Sequence, residues 1–223
     1  MKPLVLKLGG SLAESGRLRD VLAVVARARR PLVIVPGGGS FAEAVRETQR
    51  SLGFSDETAH TMALLAMRQM GDVLCALEPR LVVEETLSGM ARAWRRKQIP
   101  VWHPVRLSAR DRLIPHDWTI TSDGLAARLA ERLGGAEVKV VKSCCVPSAM
   151  TASALAHQGI VDAQFPVIVA RADLRWRVLG PDGKARLAHA LGVDPRCRSA
   201  VTGRRCGRQR QAVVPRVGRA GGL

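Results

Sequence analysis

The sequence predicts an α/β protein with a mainly parallel central sheet and helices on both faces. Three observations carry this. Short apolar runs rich in strand formers recur along the chain, segments of helical periodicity separate them, and two of the strand-to-helix turns are rich in glycine.

Leu4–Leu8 is the first such run, followed at once by Gly9-Gly10-Ser11. Arg17–Arg30 has helical spacing through Leu18, Val21, Leu22 and Val25. Leu32–Val35 reads as a second buried strand, stopped by Pro36 and followed by Gly37-Gly38-Gly39. Ser40 with Glu43 is a capping-box pattern that would open a helix over Phe41–Leu52. Asp56 is placed to cap a further helix reaching about Leu77. Beyond it, Leu81–Val83 reads as a short strand, Glu85–Lys97 as a helix and Ile99–Leu107 as extended chain. Thr121 or Ser122 would cap a helix from Asp123 to Leu133, closed by Gly134-Gly135. Val138–Val141 is another strand, ending at Lys142-Ser143. The pattern predicts one domain over residues 1–191 and an Arg/Gly-rich tail over residues 192–223, disordered or weakly docked.

The composition narrows the class. At 223 residues the chain holds a sizeable core, with 47% hydrophobic residues. No stretch approaches the roughly 20 apolar residues of a membrane span, and the start lacks a signal-peptide run, so the expected location is the cytoplasm. The cysteines Cys75, Cys144, Cys145, Cys197 and Cys206 have no metal-site spacing and read as reduced thiols. A net charge of +16 invites a nucleic-acid reading. Two facts weigh against it: the basic residues are overwhelmingly arginine, as GC-rich coding yields, and half of the net charge lies after Pro195.

The chemistry concentrates at the glycine turns. In Lys7-Leu8-Gly9-Gly10-Ser11 a strand passes through small residues into a helix. Glycines let backbone N–H groups approach phosphate oxygens, and the helix start adds positive potential. Lys7 can neutralise a phosphoryl group over the same turn. The spacing is not that of a Walker A loop, and a plain turn beside a surface lysine would look the same. Gly37, Gly38, Gly39 and Ser40 repeat the arrangement, giving a second anion cradle at the carboxyl end of the sheet. Asp123 can either cap its helix or aim lysine ammonium groups. Lys142 ends the next strand and supplies a second cation, with Lys139 nearby. Phosphoryl transfer needs mainly positioning and charge neutralisation, which two lysines, glycine amides and Mg²⁺ can provide.

These stretches resemble the amino acid kinase family, which includes acetylglutamate, uridylate, aspartate and isopentenyl phosphate kinases. The likeness runs from Lys7 to about Asp162, on KLGGS at Lys7–Ser11, VPGGGSFAEAVR at Val35–Arg46, TSDGLAARLA at Thr121–Ala130 and VKVVKS at Val138–Ser143. The resemblance implies a three-layer αβα sandwich and an ATP- and Mg²⁺-dependent kinase acting on a small anionic acceptor. Lys7, Asp123 and Lys142 would be the catalytic set. Gly9, Gly10, Ser11, Lys142 and Ser143 would bind the nucleotide, and Gly37, Gly38, Gly39 and Ser40 the acceptor. No protein-bound metal is expected, and a homo-oligomer is.

Within the family, AHTMALLAM at Ala59–Met67, IPHDWTITSDGLAARLA at Ile114–Ala130 and GIVDAQFP at Gly159–Pro166 resemble a branch found in methanogens and methylotrophs. That branch implies transfer to an aminomethylfuran-methyl phosphate, forming a diphosphate in methanofuran-type cofactor synthesis. The alternatives are an amino acid carboxylate or nucleoside monophosphate as acceptor, or a non-catalytic nucleotide- or nucleic-acid-binding module on the same fold. After Lys142 the chain reads Ser143-Cys144-Cys145 where many family members carry an Asp-Gly loop. His60 and His116 would line the acceptor pocket on resemblance. Met62, Met67 and Met70 read as core or interface, and Trp94, Trp102, Trp118 and Trp176 as packing anchors.

Overall fold

The computed structural model describes residues 2–147 and 149–193. Among the described residues six strands form one sheet: β1 (Leu4–Leu8), β2 (Leu32–Pro36), β3 (Leu81–Glu84), β4 (Ile99–Trp102), β5 (Glu137–Val141) and β6 (Trp176–Leu179). Their order is β3-β4-β2-β1-β5-β6, and every neighbouring pair is parallel. β1 lies between β2 and β5, where the order reverses direction. In open parallel sheets ligands bind beyond the carboxyl ends of strands at such a reversal.

The helices are α1 (Ser11–Glu14), α2 (Leu18–Val25), α3 (Gly39–Leu52), α4 (Asp56–Leu77), α5 (Leu87–Arg95), α6 (Val105–Ser108), α7 (Ser122–Arg132), α8 (Ala152–His157), α9 (Gln164–Arg171) and α10 (Lys184–Ala190). Alternation along the strands divides them between two faces. Leu4, Leu6 and Leu8 pack with Val21, Leu22 and Val25 of α2 and Leu187 of α10. Val5, Val138 and Val140 pack on the opposite face with Leu125 and Leu129 of α7 and Phe165 and Ile168 of α9. All of β1 is buried, as a central parallel strand covered on both faces must be. Among the described residues no helix is long and apolar enough to cross a membrane.

Several local expectations change. Ser40 does not cap α3, which begins at Gly39 with Gly38 as N-cap and no side-chain cap bond. The glycine turn enters the helix directly and places Ser40 inside its first turn. The hydroxyl that caps α4 is that of Ser55, which accepts from the Thr58 N–H, so Asp56 is the first helical residue. Ile99–Leu107 is extended only to Trp102, and Val105–Ser108 forms a turn of helix. The helix expected over Arg17–Arg30 ends at Val25. Met67 and Met70 of α4 are buried, as the core reading of these methionines expects, while Met62 is half-buried. The tail assigned to residues 192–223 lies outside the described residues from residue 194 onward, as do Cys197 and Cys206.

Candidate active site

Asp123 is the centre of the site. It sits in the first turn of α7, with its side chain 3% exposed. Lys7 Nζ is 2.7 Å from its Oδ1, and Lys142 Nζ donates to its Oδ2 at 2.6 Å. Capping is therefore not its role. Strand geometry explains the convergence. Val5 and Lys7 share one face of β1, and Val138, Val140 and then Lys142 share the same face along β5. Lys139 is an odd number of residues away from Lys142, so it points the other way, where it pairs with Glu137 at 2.7 Å.

Burial dominates the electrostatics of Lys7. Burial, joined by the neighbouring Lys142, lowers the pKa to about 8 against the pull of Asp123. Asp123 is held below the usual carboxylate range: burial opposes ionisation, and Lys7 and Lys142 outweigh it. Two ammonium groups on one carboxylate form a buried cluster with positive charge in excess. Such a cluster suits an arriving phosphate.

Asp162, not assigned a role in the sequence, completes this end. Its Oδ2 accepts from the Thr121 N–H, the Thr121 hydroxyl and the Gly124 N–H, each at 2.8 Å. Its Oδ1 accepts from the Phe165 N–H at 2.9 Å. The side chain of Thr121, the N-cap residue, makes no cap bond. A carboxylate from the segment before α9 thus caps α7 in its place. Burial and then the neighbouring Asp123 push the Asp162 pKa up, opposed by these hydrogen bonds. The only sequence signal was its place in the stretch Gly159–Pro166.

The two glycine turns are one structure. A Cβ on Gly10 would stand 2.2 Å from Gly39 N, and one on Gly37 would stand 2.5 Å from Gly10 N. The backbones touch because neither residue carries a side chain. The expectation of two separate cradles becomes one shared floor. Gly9 and Gly37 do not offer their amides to a ligand: Gly9 N–H donates to Val141 C=O and Gly37 N–H to Leu8 C=O. Ser11 and Ser143, from the turns after β1 and β5, share a hydroxyl hydrogen bond of 2.7 Å.

A cavity of about 320 Å³ opens beside this floor. Gly10, Ser11, Gly37, Gly38 and Gly39 line it at one side; Ser40 does not. Leu64, Met67, Ile120 and Leu125 give it apolar walls. Trp118 adds a flat aromatic wall, with the Arg46 guanidinium 4.2 Å from its ring centroid and its indole N–H donating to Gln49. His60 also lines it. The described residues include no group of three or more His, Cys, Asp or Glu that could hold a metal ion.

Comparison with known proteins agrees with this geometry. The model of the amino acid kinase family matches residues 2–90, which include Lys7 and both glycine turns. The "[5-(aminomethyl)furan-3-yl]methyl phosphate kinase" of Methanocaldococcus jannaschii is 28% identical over 136 residues, 60% of this chain and 62% of that protein. The chain thus spans about three fifths of the curated relative it matches. Among solved structures, the uridylate kinase of Archaeoglobus fulgidus has 19% identity and a TM-score of 0.59, covering 86% of this chain and 96% of that one. The UMP kinase of Bacillus anthracis has 14% identity and a TM-score of 0.60, covering 85% and 92%. An isopentenyl phosphate kinase has 14% identity and a TM-score of 0.53, covering 86% and 97%. The family pattern over residues 2–90 and the fold shared with these kinases make the chain similar to members of the amino acid kinase family.

Proposed function

We propose that the protein transfers the γ-phosphoryl group of ATP to the phosphate of a small ring-bearing phosphomonoester, forming a diphosphate. The observation that carries this is the Lys7–Asp123–Lys142 cluster beside the shared glycine floor. An acceptor oxygen attacks the γ-phosphorus as its bond to the β–γ bridging oxygen breaks, and ADP leaves. Lys7 and Lys142 offset the charge on the moving group, and Asp123 keeps both ammonium groups aimed. Mg²⁺, brought in with the nucleotide, would supply further charge neutralisation during the transfer.

The donor would lie on the side of Gly9, Ser11, Lys142 and Ser143, and the acceptor in the cavity beyond Gly37, Gly38 and Gly39. Ser40 falls outside that lining and has no contact role in this reading. The apolar walls with Trp118 and Arg46 suit a flat ring next to an anion. An aminomethylfuran-methyl phosphate, the compound named in the relative's activity, has both features. A cytoplasmic location and self-association belong to the same proposal, with exposed Leu65 and Val73 of α4 as the apolar surface available. Residues 1–191 would act as one domain.

The test incubates purified protein and Mg-ATP with aminomethylfuran-methyl phosphate, UMP, isopentenyl phosphate and acetylglutamate, and follows ADP release. Turnover only with the furan phosphate supports the full reading. Turnover only with a carboxylate acceptor overturns the phosphate acceptor, and ADP release with none overturns the kinase.

A further inference from the structure

Lys142 and Ser143, the cation and hydroxyl at the end of β5, are followed by two adjacent cysteines, Cys144 and Cys145. Both are free thiols and both are exposed. The third described cysteine differs. Cys75 is half-buried, and burial, joined by Asp72, pushes its thiol up to about 11. A cysteine reacts as its thiolate, and only where a reagent reaches it. Among the described residues, thiol reactivity therefore concentrates at the adjacent pair.

The pair sits where a small backbone change reaches the transfer site. On one side, Ser143 shares its hydroxyl hydrogen bond with Ser11 at 2.7 Å, and Lys142 donates to Asp123 at 2.6 Å. On the other, the Cys144 carbonyl oxygen lies against Gly180: a Cβ there would stand 3.0 Å from it and 3.1 Å from the Val146 nitrogen. The chain bends at Ser143 and Cys144, and the described peptide bonds are all trans. Neighbouring Cα atoms across a trans peptide are about 3.8 Å apart, short of the roughly 4.4 Å at which disulfides begin. A bond between these two sulfurs closes a small ring that contains the Cys144–Cys145 peptide and strains it. The carbonyl of that peptide is the one packed on Gly180. Strain makes a disulfide labile, so it forms under an oxidant and reopens in a reducing compartment.

We propose that Cys144 and Cys145 are a redox modification site that switches phosphoryl transfer off. A hydroperoxide oxidises one thiolate to a sulfenic acid, its O–O bond breaks, and it leaves as the alcohol or as water. The second thiol displaces water from the sulfenic sulfur and the disulfide forms. Both thiols together give up two electrons and two protons, and the peroxide takes them. Closing the ring draws Ser143 off Ser11 and Lys142 off Asp123. This rests on the reading of Lys142 and Ser143 as donor-side residues. A free thiol reopens the bond by exchange and restores the site.

The experiment treats the full chain with hydrogen peroxide, alkylates remaining thiols with N-ethylmaleimide and digests with trypsin. The tryptic peptide after Lys142 runs from Ser143 to Arg171 and holds Cys144 and Cys145 as its only cysteines. It is expected unalkylated and lighter by two hydrogens, reverting with dithiothreitol. Mg-ADP binding by calorimetry and turnover with Mg-ATP are then compared before and after oxidation in wild type, Cys144→Ser and Cys145→Ser. Oxidised wild type should bind Mg-ADP about tenfold more weakly. Its turnover should fall about 100-fold, as a displacement of about 1 Å gives, and dithiothreitol should restore both. Each serine variant, unable to close the ring, should stay within about twofold of its reduced values after peroxide. A peptide that still takes two alkyl groups after peroxide overturns the proposal. So does a disulfide that leaves binding and turnover unchanged, or a loss that persists in Cys144→Ser. Reduced protein that binds no Mg-ADP overturns it together with the donor reading. A disulfide that weakens Mg-ADP binding in a protein with no turnover on any acceptor upholds the redox site and removes the kinase reading alone.

Discussion

Asp123 holds Lys7 on one carboxylate oxygen at 2.7 Å and Lys142 on the other at 2.6 Å. The two lysines come from β1 and from the end of β5, so the contact joins neighbouring strands through a helix on one face of the sheet. It is buried, and its parts are unequal: either lysine can lose its partner and leave a charge, whereas loss of Asp123 leaves two like charges together.

Asp123→Asn is therefore expected to destabilise the protein by about 3–5 kcal/mol, as removal of one partner from a buried pair does. It should also lower turnover at least ~100-fold. Adding Lys142→Met should return part of the stability and none of the activity. Urea denaturation and ADP release read the two effects. An Asp123→Asn variant with wild-type stability removes the structural role.

The pH profile follows from Lys7, whose pKa falls from 10.5 to about 8. Between those values the unfolded chain binds this proton and the native chain does not. The contribution of this group to stability thus rises with pH across that window. Catalysis moves the opposite way, because the neutral amine cannot offset phosphoryl charge. kcat/KM should fall above about pH 8, roughly tenfold per unit. The limb in kcat should lie higher, since bound phosphates favour the charged lysine. A flat kcat/KM profile from pH 7 to 10 contradicts the assignment.

Asp162 raises the Lys7 pKa through its charge while capping α7. Asp162→Asn should lower kcat about tenfold or more with little change in either KM. It should also move the alkaline limb to lower pH. A purely structural cap would lower stability without moving that limb, so the pH profile separates the two.

Gly10→Ala would drive a methyl group into the Gly39 backbone, 2.2 Å from its nitrogen. The expected cost is about 1–3 kcal/mol, with a loss of turnover as the floor opens. Gly37→Ala strains the same contact, so the double variant should cost less than the sum of the singles. Additive costs would mean that the two turns act separately.

Trp118→Ala should raise the KM for the acceptor about tenfold and leave the KM for ATP near its wild-type value. Steady-state kinetics with each substrate varied checks it. An equal rise in both KM values would remove the aromatic wall from the acceptor side.

Much of the fold was legible in the sequence because strand and helix periodicities differ and glycine punctuates them. The five strands from Leu4 to Val141 sit within a few residues of their expected places. The choice of Lys142 over Lys139 was also legible in principle, since period-2 alternation puts them on opposite faces of β5. Less legible were features set by tertiary approach. Ser40 fits a capping box, yet the contact of Gly10 with Gly39 starts α3 earlier. Asp123 fits a cap, yet Asp162, far along the chain, takes that role and frees Asp123 for the lysines. No local pattern encodes such an exchange. β6 and α10 were not assigned from the sequence, although Gly180-Pro181-Asp182-Gly183 between them is a turn signal.

The central claim is that Lys7 and its partners move a phosphoryl group from ATP to a phosphomonoester. The direct measurement is ³¹P NMR of Mg-ATP with aminomethylfuran-methyl phosphate, comparing wild type with Lys7→Ala after circular dichroism has shown both to be folded. The account predicts ADP and new diphosphate resonances with wild type, and a rate at least ~100-fold lower with Lys7→Ala. Diphosphate formed at the wild-type rate by Lys7→Ala would contradict it, as would a wild-type protein that forms no P–O–P bond.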